Sequence, residues 1–230
     1  MPHRLEITLK PGLFDAEGHG IRNKTLHYFG INIDAVRTIQ VITIDAALTP
    51  DQLIKVQTEI FTNPVAQVSA FTPLPLDFDW TIWVGFRPGV KDNAGSTAVE
   101  AVEDVLGIRL SPGEAIYTSK RYCFKAMDMT DVQADTLARE LLANDIIQQW
   151  RIYSKFNWNP DIGIGMMIPK VQLNHIPAVA AIPVESDRSL EAVSLARNLA
   201  LNPNVERYTE TVQLLVRHRR IILDNSEMYL

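Results

Sequence analysis

The side chains that could do chemistry in this 230-residue sequence are few, and their spacing does not form a catalytic or metal-binding motif. Cys123 is the single cysteine, and it lies between Tyr122 and Phe124 with no histidine nearby to act as its base. This context favours a small buried hydrophobe over a nucleophile. Five histidines show no metal-ligand spacing with one another or with the cysteine: His3, His19, His27, His175 and His218. We therefore predict no catalytic residue, no cofactor-binding residue and no metal ligand.

Two glycine pairs lie where a phosphate group could approach the backbone, but local structure explains both. Gly163-Ile164-Gly165 lacks the third spaced glycine and the leading strand of a dinucleotide-binding loop, so it predicts a turn. Gly18-His19-Gly20 lies at the start of a predicted helix, where free amide groups can bind an anion. A capping role is favoured there, because Asp15 is placed to accept from those amides.

Composition and charge are those of an ordinary globular protein, with 47% hydrophobic and 21% charged residues. The formal net charge of -5 argues against broad attraction to nucleic acid or anionic lipid. The basic run Arg217-His218-Arg219-Arg220 is interpreted as a solvated end or helix face, and Asp77-Phe78-Asp79 as connector surface. The amino terminus lacks the apolar core of a signal peptide, and no apolar run reaches the roughly 18 residues of a membrane span. These features predict a cytoplasmic protein without an intrachain disulfide.

The elements that would position any site belong to a unit that occurs twice. Residues 9–18 share a basic residue, Pro-Gly, an aspartate and a second glycine with residues 86–95, at an offset of 77. Residues 35–38 then match residues 115–118 at an offset of 80, and three further matches at 81 pair Thr49, Asn63 and Gln67 with Thr130, Asn144 and Gln148. The slow drift of the offset is what a few loop insertions produce, so we predict two tandem copies of one αβ unit.

Each copy predicts the same elements in the same order. A strand with alternating apolar residues ends at the basic-Pro-Gly turn, and an aspartate-capped helix follows and ends at Gly30 or Gly107. Next comes a β-rich stretch, Val36–Ile44 or Ile116–Phe124, whose length allows either one long bent strand or a hairpin. A second helix, capped by threonine, and a final strand complete the copy.

With the hairpin, each copy reads β-α-β-β-α-β, a ferredoxin-like unit of four antiparallel strands with both helices on one face. Such a unit leaves one sheet face bare, so we predict an α+β fold in which the two copies bury those faces together as a pseudo-dimer. The predicted division is 1–71 for the first unit, 72–80 for a connector, 81–155 for the second unit and 156–230 for a C-terminal αβ extension. Residues Phe156–Pro177 predict an irregular excursion, and the remainder is either a third half-unit or a linker.

The ordered motifs of both copies resemble PurS, the small subunit of phosphoribosylformylglycinamidine synthase (FGAM synthase). The resemblance rests on strand-Lys-Pro-Gly-x-x-Asp-x-x-Gly, the Val36-Arg37 strand and Leu141-Leu142-Ala143-Asn144 followed by Ile147 and Trp150. It covers residues 4 to about 155, and the two-copy arrangement is similar to the amino-terminal region of synthases that carry the small subunit fused ahead of the synthetase part.

The resemblance implies a component of a glutamine-dependent C–N ligase in purine (IMP) biosynthesis, which makes formylglycinamidine ribonucleotide from formylglycinamide ribonucleotide, glutamine and ATP. PurS carries no catalytic residue and bridges the synthetase (PurL) to the glutaminase (PurQ). The implied partners are PurL-like and PurQ-like subunits, with no nucleic acid and no membrane, and further homodimerisation is left open. The chain is expected to be either a separate tandem subunit, which Met1 favours, or a segment of a longer synthase.

Two other functions remain open at this stage. A regulatory module that binds small molecules would fit, since paired ferredoxin-like units of the ACT type bind amino acids at their interfaces. An independent enzyme that acts through carboxylates has no paired motif in its favour.

Overall fold

The structure, a computed structural model, describes residues 2–171 together with Ala192 and Leu195. Residues 2–171 contain six strands and four helices, of which the second and fourth helices each continue into a π-helical turn. In chain order the elements are β1 (His3–Leu9), α1 (Ala16–Phe29), β2 (Ala35–Asp45), α2 (Pro50–Val56, continued by Gln57–Phe61), β3 (Gln67–Ala70), β4 (Trp80–Phe86), α3 (Asn93–Leu106), β5 (Ala115–Lys125), α4 (Asp131–Leu137, continued by Ala138–Leu142) and β6 (Gln148–Ser154). Of the predicted C-terminal extension, only 156–171 is continuously described, and it is irregular as expected.

The first helix of each half begins and ends at the residues that the sequence predicts. Asp15 and Asp92 each accept a hydrogen bond from the backbone amide three residues ahead, at 2.8 Å in both halves. Gly30 and Gly107 end the helices in the left-handed conformation, with φ angles of 66° and 64°. Local capping chemistry therefore fixes these helices in both halves.

The second glycine of the repeated motif sets the distance between each first helix and the sheet. A Cβ atom added at Gly18 would overlap the carbonyl oxygen of Val36, and one added at Gly95 would overlap that of Ile116. Any larger residue at either position would push the helix away from the strand beneath it.

The second helix of each half starts with a reciprocal cap, as the threonines predict. Thr49 accepts from the amide of Gln52, whose side chain accepts from the amide of Thr49 in return. Thr130 and Gln133 make the same pair of hydrogen bonds in the second half.

All six strands form one antiparallel sheet in the order β3-β1-β2-β5-β4-β6. Each β-rich stretch is one long strand rather than a hairpin: β2 and β5 are 11 residues each and pair along their whole length. Residues 37–43 and 117–123 contain no glycine, proline, asparagine or aspartate to turn the chain back. Each half therefore contributes three strands instead of the four that we expected, and the fold is α+β with a single antiparallel sheet.

The two halves of the sheet repeat each other in register. His3 pairs with Ile44 in the first half, and adding 77 and 80 to these numbers gives the pair Trp80 and Phe124 in the second half. The outer ladders, β1 with β3 and β4 with β6, likewise repeat at offsets of 77 and 81. The offsets found in the sequence are thus the offsets of the hydrogen-bonded ladders.

The first helix of each half lies against the middle strand of its own half and also contributes side chains to a core of the other half. α1 places Ile21 in a core with Ile82 of β4 and Leu137 of α4. α3 places Val102 in a second core, with Ile44 of β2 and residues of α2. Each core therefore contains residues of both copies.

The opposite face of the sheet is covered by the connector and by the chain that follows β6. Phe78 of the connector and Ile164 of the later turn are buried against Ile39 and Trp83 of the sheet. The sequence predicts that this face of one copy packs on that of the other, and this prediction is wrong. The copies instead lie side by side in one sheet, and irregular segments cover the face.

Candidate functional site

Each half presents two neighbouring turns, built from the two motifs that define the repeat. We call residues 10–13 with 63–66 the first turn pair, and residues 87–90 with 144–147 the second turn pair. In the basic-Pro-Gly turns, Gly12 and Gly89 have φ angles of 84° and 85°, a region that other residues rarely adopt. The amide three residues after the basic residue donates to its carbonyl at 3.2 Å in both halves. The glycines are thus required by the shape of the turns.

The other member of each turn pair is an asparagine turn. The side-chain oxygen of Asn63 accepts from the amide of Val65 at 2.9 Å, and that of Asn144 accepts from the amide of Ile146 at 3.0 Å. Asparagine favours such turns because its short side chain can bond the backbone two residues on. The matched asparagines of the sequence repeat therefore have a structural role.

Hydrogen bonds from the basic residue join the two turns of each pair. Lys10 donates its backbone amide to the carbonyl of Ala66 at 2.9 Å and its ammonium to that of Pro64 at 2.6 Å. Arg87 donates its amide and its Nε to the carbonyls of residues 147 and 148, both at 2.9 Å. Two motifs that lie more than fifty residues apart in sequence are thus hydrogen-bonded side by side in each half.

The tip of each turn pair carries an exposed apolar side chain at the same position of the repeat. Val65 is 82% exposed and Ile146 is 79% exposed. A lone exposed apolar residue is common on protein surfaces. Here the exposure recurs in both copies, on turns that hydrogen bonds hold in place.

The two turn pairs differ in the residue that follows the basic-Pro-Gly turn. Phe14 is 70% exposed beside the first turn pair and packs against His19, with ring centroids 5.2 Å apart. The equivalent position beside the second turn pair, 77 residues later, is Lys91, which is also exposed. One surface is therefore aromatic and the other basic on a common backbone frame.

Cys123 lies far inside the sheet, as its apolar neighbours predict. It is 2% exposed, and its Sγ atom lies 3.5 Å from the hydroxyl of Thr81. Burial raises the pKa of the thiol above its ordinary value. The buried-hydrophobe interpretation is confirmed.

Both glycine pairs are structural, as predicted. Gly163 and Gly165 have φ angles of 63° and 74°, and the carbonyl of Gly165 accepts from the guanidinium of Arg4 at 2.8 Å. Gly18 donates its amide to Asp15, so this amide is occupied by the helix cap.

The acidic stretch of the connector is surface only in part. Asp77 is exposed, and a hydrogen bond from Lys125 lowers the pKa of its carboxyl group. Phe78 is buried at 5% exposure, where surface was expected, because it packs edge-on against Trp158 at a centroid distance of 5.3 Å. Asp79 accepts from the amide of Ala126 at 2.9 Å and so anchors the connector to the end of β5.

A buried ion pair was not predicted from the sequence. Arg121 of β5 and Glu6 of β1 lie 3.0 Å apart, and neither side chain is exposed. Glu6 also accepts from the amide of Leu74, and the guanidinium of Arg121 lies 4.8 Å from the ring centre of Trp158. Glu6 alternates with apolar residues along β1, and this pattern predicts that the Glu6 side chain faces solvent. The second half has Trp83 at the equivalent position, so the ion pair is not part of the repeat. The pair fastens the connector and the chain after β6 to the sheet.

Metal ligands do not cluster in the part of the chain that the structure describes: no group of three or more histidine, cysteine, aspartate or glutamate residues could hold an ion there. His175, His218 and the basic run 217–220 lie outside the described residues. Among residues 2–171, no helix combines the length and apolar character needed to cross a membrane.

No protein-family model matches the chain, and a search of curated proteins found no match to it.

Proposed function

We propose that the protein is a non-catalytic assembly subunit of a glutamine-dependent FGAM synthase in cytoplasmic purine biosynthesis, docking a PurQ-like glutaminase to a PurL-like synthetase. Its halves are two tandem PurS-like units of ferredoxin-like type, in which one long strand replaces the middle two strands of each unit. The observation that carries the proposal is the in-register duplication of the sheet at the offsets of the PurS-like motifs.

The two turn pairs support this function because they are made of the residues that carry the resemblance. A bridging protein needs two separate surfaces that bind two different partners. The turn pairs have the same backbone shape, which hydrogen bonds stabilise in each half. The residue next to each turn pair differs in chemistry: it is Phe14 in the first half and Lys91 in the second. Rigid surfaces of this kind bind with a small ordering cost. We assign one partner to each turn pair.

Co-purification of the full chain with the synthetase and glutaminase of the same organism tests the proposal. The mixture is analysed by size-exclusion chromatography with light scattering, with and without glutamine and ADP. We expect one complex that contains all three proteins. Failure of the chain to associate with either enzyme under every condition would overturn the proposal.

Charge introduced at the turn tips tests the assignment of surfaces. Val65→Asp is expected to release one enzyme and Ile146→Asp the other, because each places an unpaired carboxylate in an apolar contact. Met127→Asp is the matched control, since Met127 is 82% exposed but lies in neither turn pair. Unchanged binding by both tip variants would exclude the turn pairs as the docking surfaces.

A further inference from the structure

A cavity of about 270 Å³ lies in the second half, on the face of the sheet that the connector and the chain after β6 cover. The sheet contributes lining residues from β4, β5 and β6, among them Trp83, Gly85, Tyr117, Ser119, Gln149 and Arg151. Residues 166–169 of the chain after β6 complete the lining. The cavity is therefore enclosed by regular strands on one side and by a single irregular segment on the other.

The irregular segment that lines the cavity is held at both ends. Before it, the carbonyl of Gly165 accepts from the guanidinium of Arg4 at 2.8 Å. After it, Lys170 donates to the carbonyl of Gly113 at 2.6 Å and forms an ion pair with Asp45. A preformed cavity of this kind binds a ligand with a small ordering cost.

The charges around the cavity favour an anionic ligand. Arg151 is the only charged residue among those that line the cavity, and the lining contains no aspartate or glutamate. Within residues 2–171, the guanidinium of Arg151 forms no ion pair with a carboxylate. Asp45, whose charge acts on Tyr117 of the lining, is already paired with Lys170. The positive charge of Arg151 is therefore available to a ligand.

The apolar part of the lining suits an aromatic ring. The indole of Trp83 lies against Gly85, since a Cβ atom added there would overlap the ring atoms Cζ2 and Cη2. Glycine thus lets the indole lie along β4 at the cavity. Met166 and Met167 add thioether sulfurs, which make favourable contacts with aromatic rings.

The residues that give the cavity its chemistry differ from their equivalents in the first half. Trp83 and Arg151 pair directly across β4 and β6, and the equivalent pair across β1 and β3 is Glu6 and Ala70. Glu6 is bound to Arg121, so a buried ion pair belongs to that position in the first half. The helix caps and turns that serve the fold are the same in both halves. The difference here therefore indicates a role that belongs to the second half alone.

We propose that this cavity binds a small aromatic carboxylate. The guanidinium of Arg151 donates to both carboxylate oxygens, an arrangement that its planar fork of N–H groups matches. The aromatic ring packs against Trp83 and against the methionines 166 and 167. A volume of about 270 Å³ lies below the roughly 300–1,000 Å³ of drug-sized pockets and so restricts the ligand to one or two rings. The site goes beyond the bridging function and does not depend on it.

Titration of the full chain with 2-naphthoate, followed by NMR of the indole N–H signals, tests the proposal. We expect a saturable shift of the Trp83 signal, which the Trp83→Phe variant identifies. The neutral 2-naphthamide and the non-aromatic decahydro-2-naphthoate are each expected to bind about tenfold more weakly, because one lacks the charge and the other the ring. Absence of a saturable shift at Trp83, or binding of either analogue as tight as that of 2-naphthoate, overturns the proposal.

Substitution of the exposed Arg151 tests the charge that holds the ligand. Arg151→Gln is expected to melt like the parent protein and to bind 2-naphthoate about tenfold more weakly. Arg151→Lys is expected to restore part of the affinity, because lysine keeps the charge but lacks the planar fork. Lys24→Gln is the matched control, since it removes the same charge from an exposed position of α1 outside the lining. Weaker binding in Arg151→Gln alone supports the site, whereas unchanged binding in Arg151→Gln, or an equal loss in Lys24→Gln, overturns it.

Discussion

Gln40 lies directly opposite Lys120 in the ladder between β2 and β5, and the two residues occupy equivalent positions in the two copies. Because equivalent residues pair, the approximate twofold axis of the sheet passes between them. The contact between the copies is therefore self-complementary, as in the interface of a symmetric homodimer. The molecule has the geometry of a dimer whose two subunits are joined by the connector.

Separation of the copies tests whether each half depends on the cores that the two halves share. Fragments 1–72 and 73–230 are each expected to fail to fold as monomers, because Ile21 completes the core of the second half and Val102 that of the first. Mixing the fragments is expected to restore the circular dichroism of the parent chain and to give a one-to-one complex by native mass spectrometry. A fragment that melts cooperatively as a monomer would show that its half does not depend on the shared core.

The close approach of the first helices to the sheet predicts opposite effects of two glycine substitutions. Gly95→Ala is expected to lower the free energy of unfolding by about 1–3 kcal/mol, because its Cβ would overlap the carbonyl of Ile116. Gly20→Ala, which meets nothing within 4 Å, is expected to raise it by about 0.5–1 kcal/mol through the better helix propensity of alanine. Urea denaturation measures both. Equal effects of the two substitutions would show that the close contact between helix and sheet does not limit the free energy of unfolding.

The sequence predicts the parts of this fold that depend on neighbouring residues. Caps such as Asp15 and Thr49 act within one helical turn, and they are found where their types and spacing indicate. The repeat offsets also predict the register between strands, because both copies fold the same way. The sequence does not decide whether residues 36–44 form one long strand or a hairpin, since their pattern of apolar and polar residues fits both.

Contacts between distant segments could not be predicted from periodicity. Nothing in the pattern of α1 says that Ile21 packs on the other copy, since an apolar residue fits either core. The sequence predicts a solvent-facing Glu6, because the connector and the chain after β6 that cover it show no hydrophobic periodicity that would reveal their position. The turn motifs of the candidate site were visible in sequence, but the bond from Lys10 to Pro64 that joins them was not.

The buried ion pair between Arg121 and Glu6 predicts a large and non-additive effect of substitution. Glu6→Leu is expected to cost about 3–5 kcal/mol of unfolding free energy, because it leaves the Arg121 guanidinium buried without its carboxylate. The double variant Glu6→Leu with Arg121→Met is expected to recover most of that loss, since Arg4, the other arginine beside Glu6, keeps two hydrogen bonds to backbone carbonyls. Arg139→Met, which breaks a largely exposed pair with Asp135, is the control and is expected to cost less than about 1 kcal/mol. Additive losses in the double variant would argue against the pairing.

A carboxylate that joins the two halves predicts how stability depends on pH. Glu114 accepts from the amides of Ser111 and Ala47, both at 2.7 Å, and these backbone hydrogen bonds lower the pKa of its side chain below the ordinary 4.5. Since the folded-state pKa is the lower one, the stabilisation is complete above the unfolded pKa and is lost as the pH falls through the folded value. Glu114→Gln is therefore expected to lower Tm at neutral pH. The difference in Tm between parent and variant, called the gap below, is expected to close on acidification to about pH 3.

Thermal melts of parent and variant across this pH range measure the gap. Glu59→Gln makes the same change of charge on the exposed surface of the turn that follows α2, and it controls for net charge. The Glu114→Gln gap is expected to exceed the Glu59→Gln gap at neutral pH, because only Glu114 joins Ala47 of the first half to Ser111 of the second. A Glu114→Gln gap that widens as the pH falls would mean that the folded protein prefers the protonated carboxyl, contrary to the two amide hydrogen bonds it accepts.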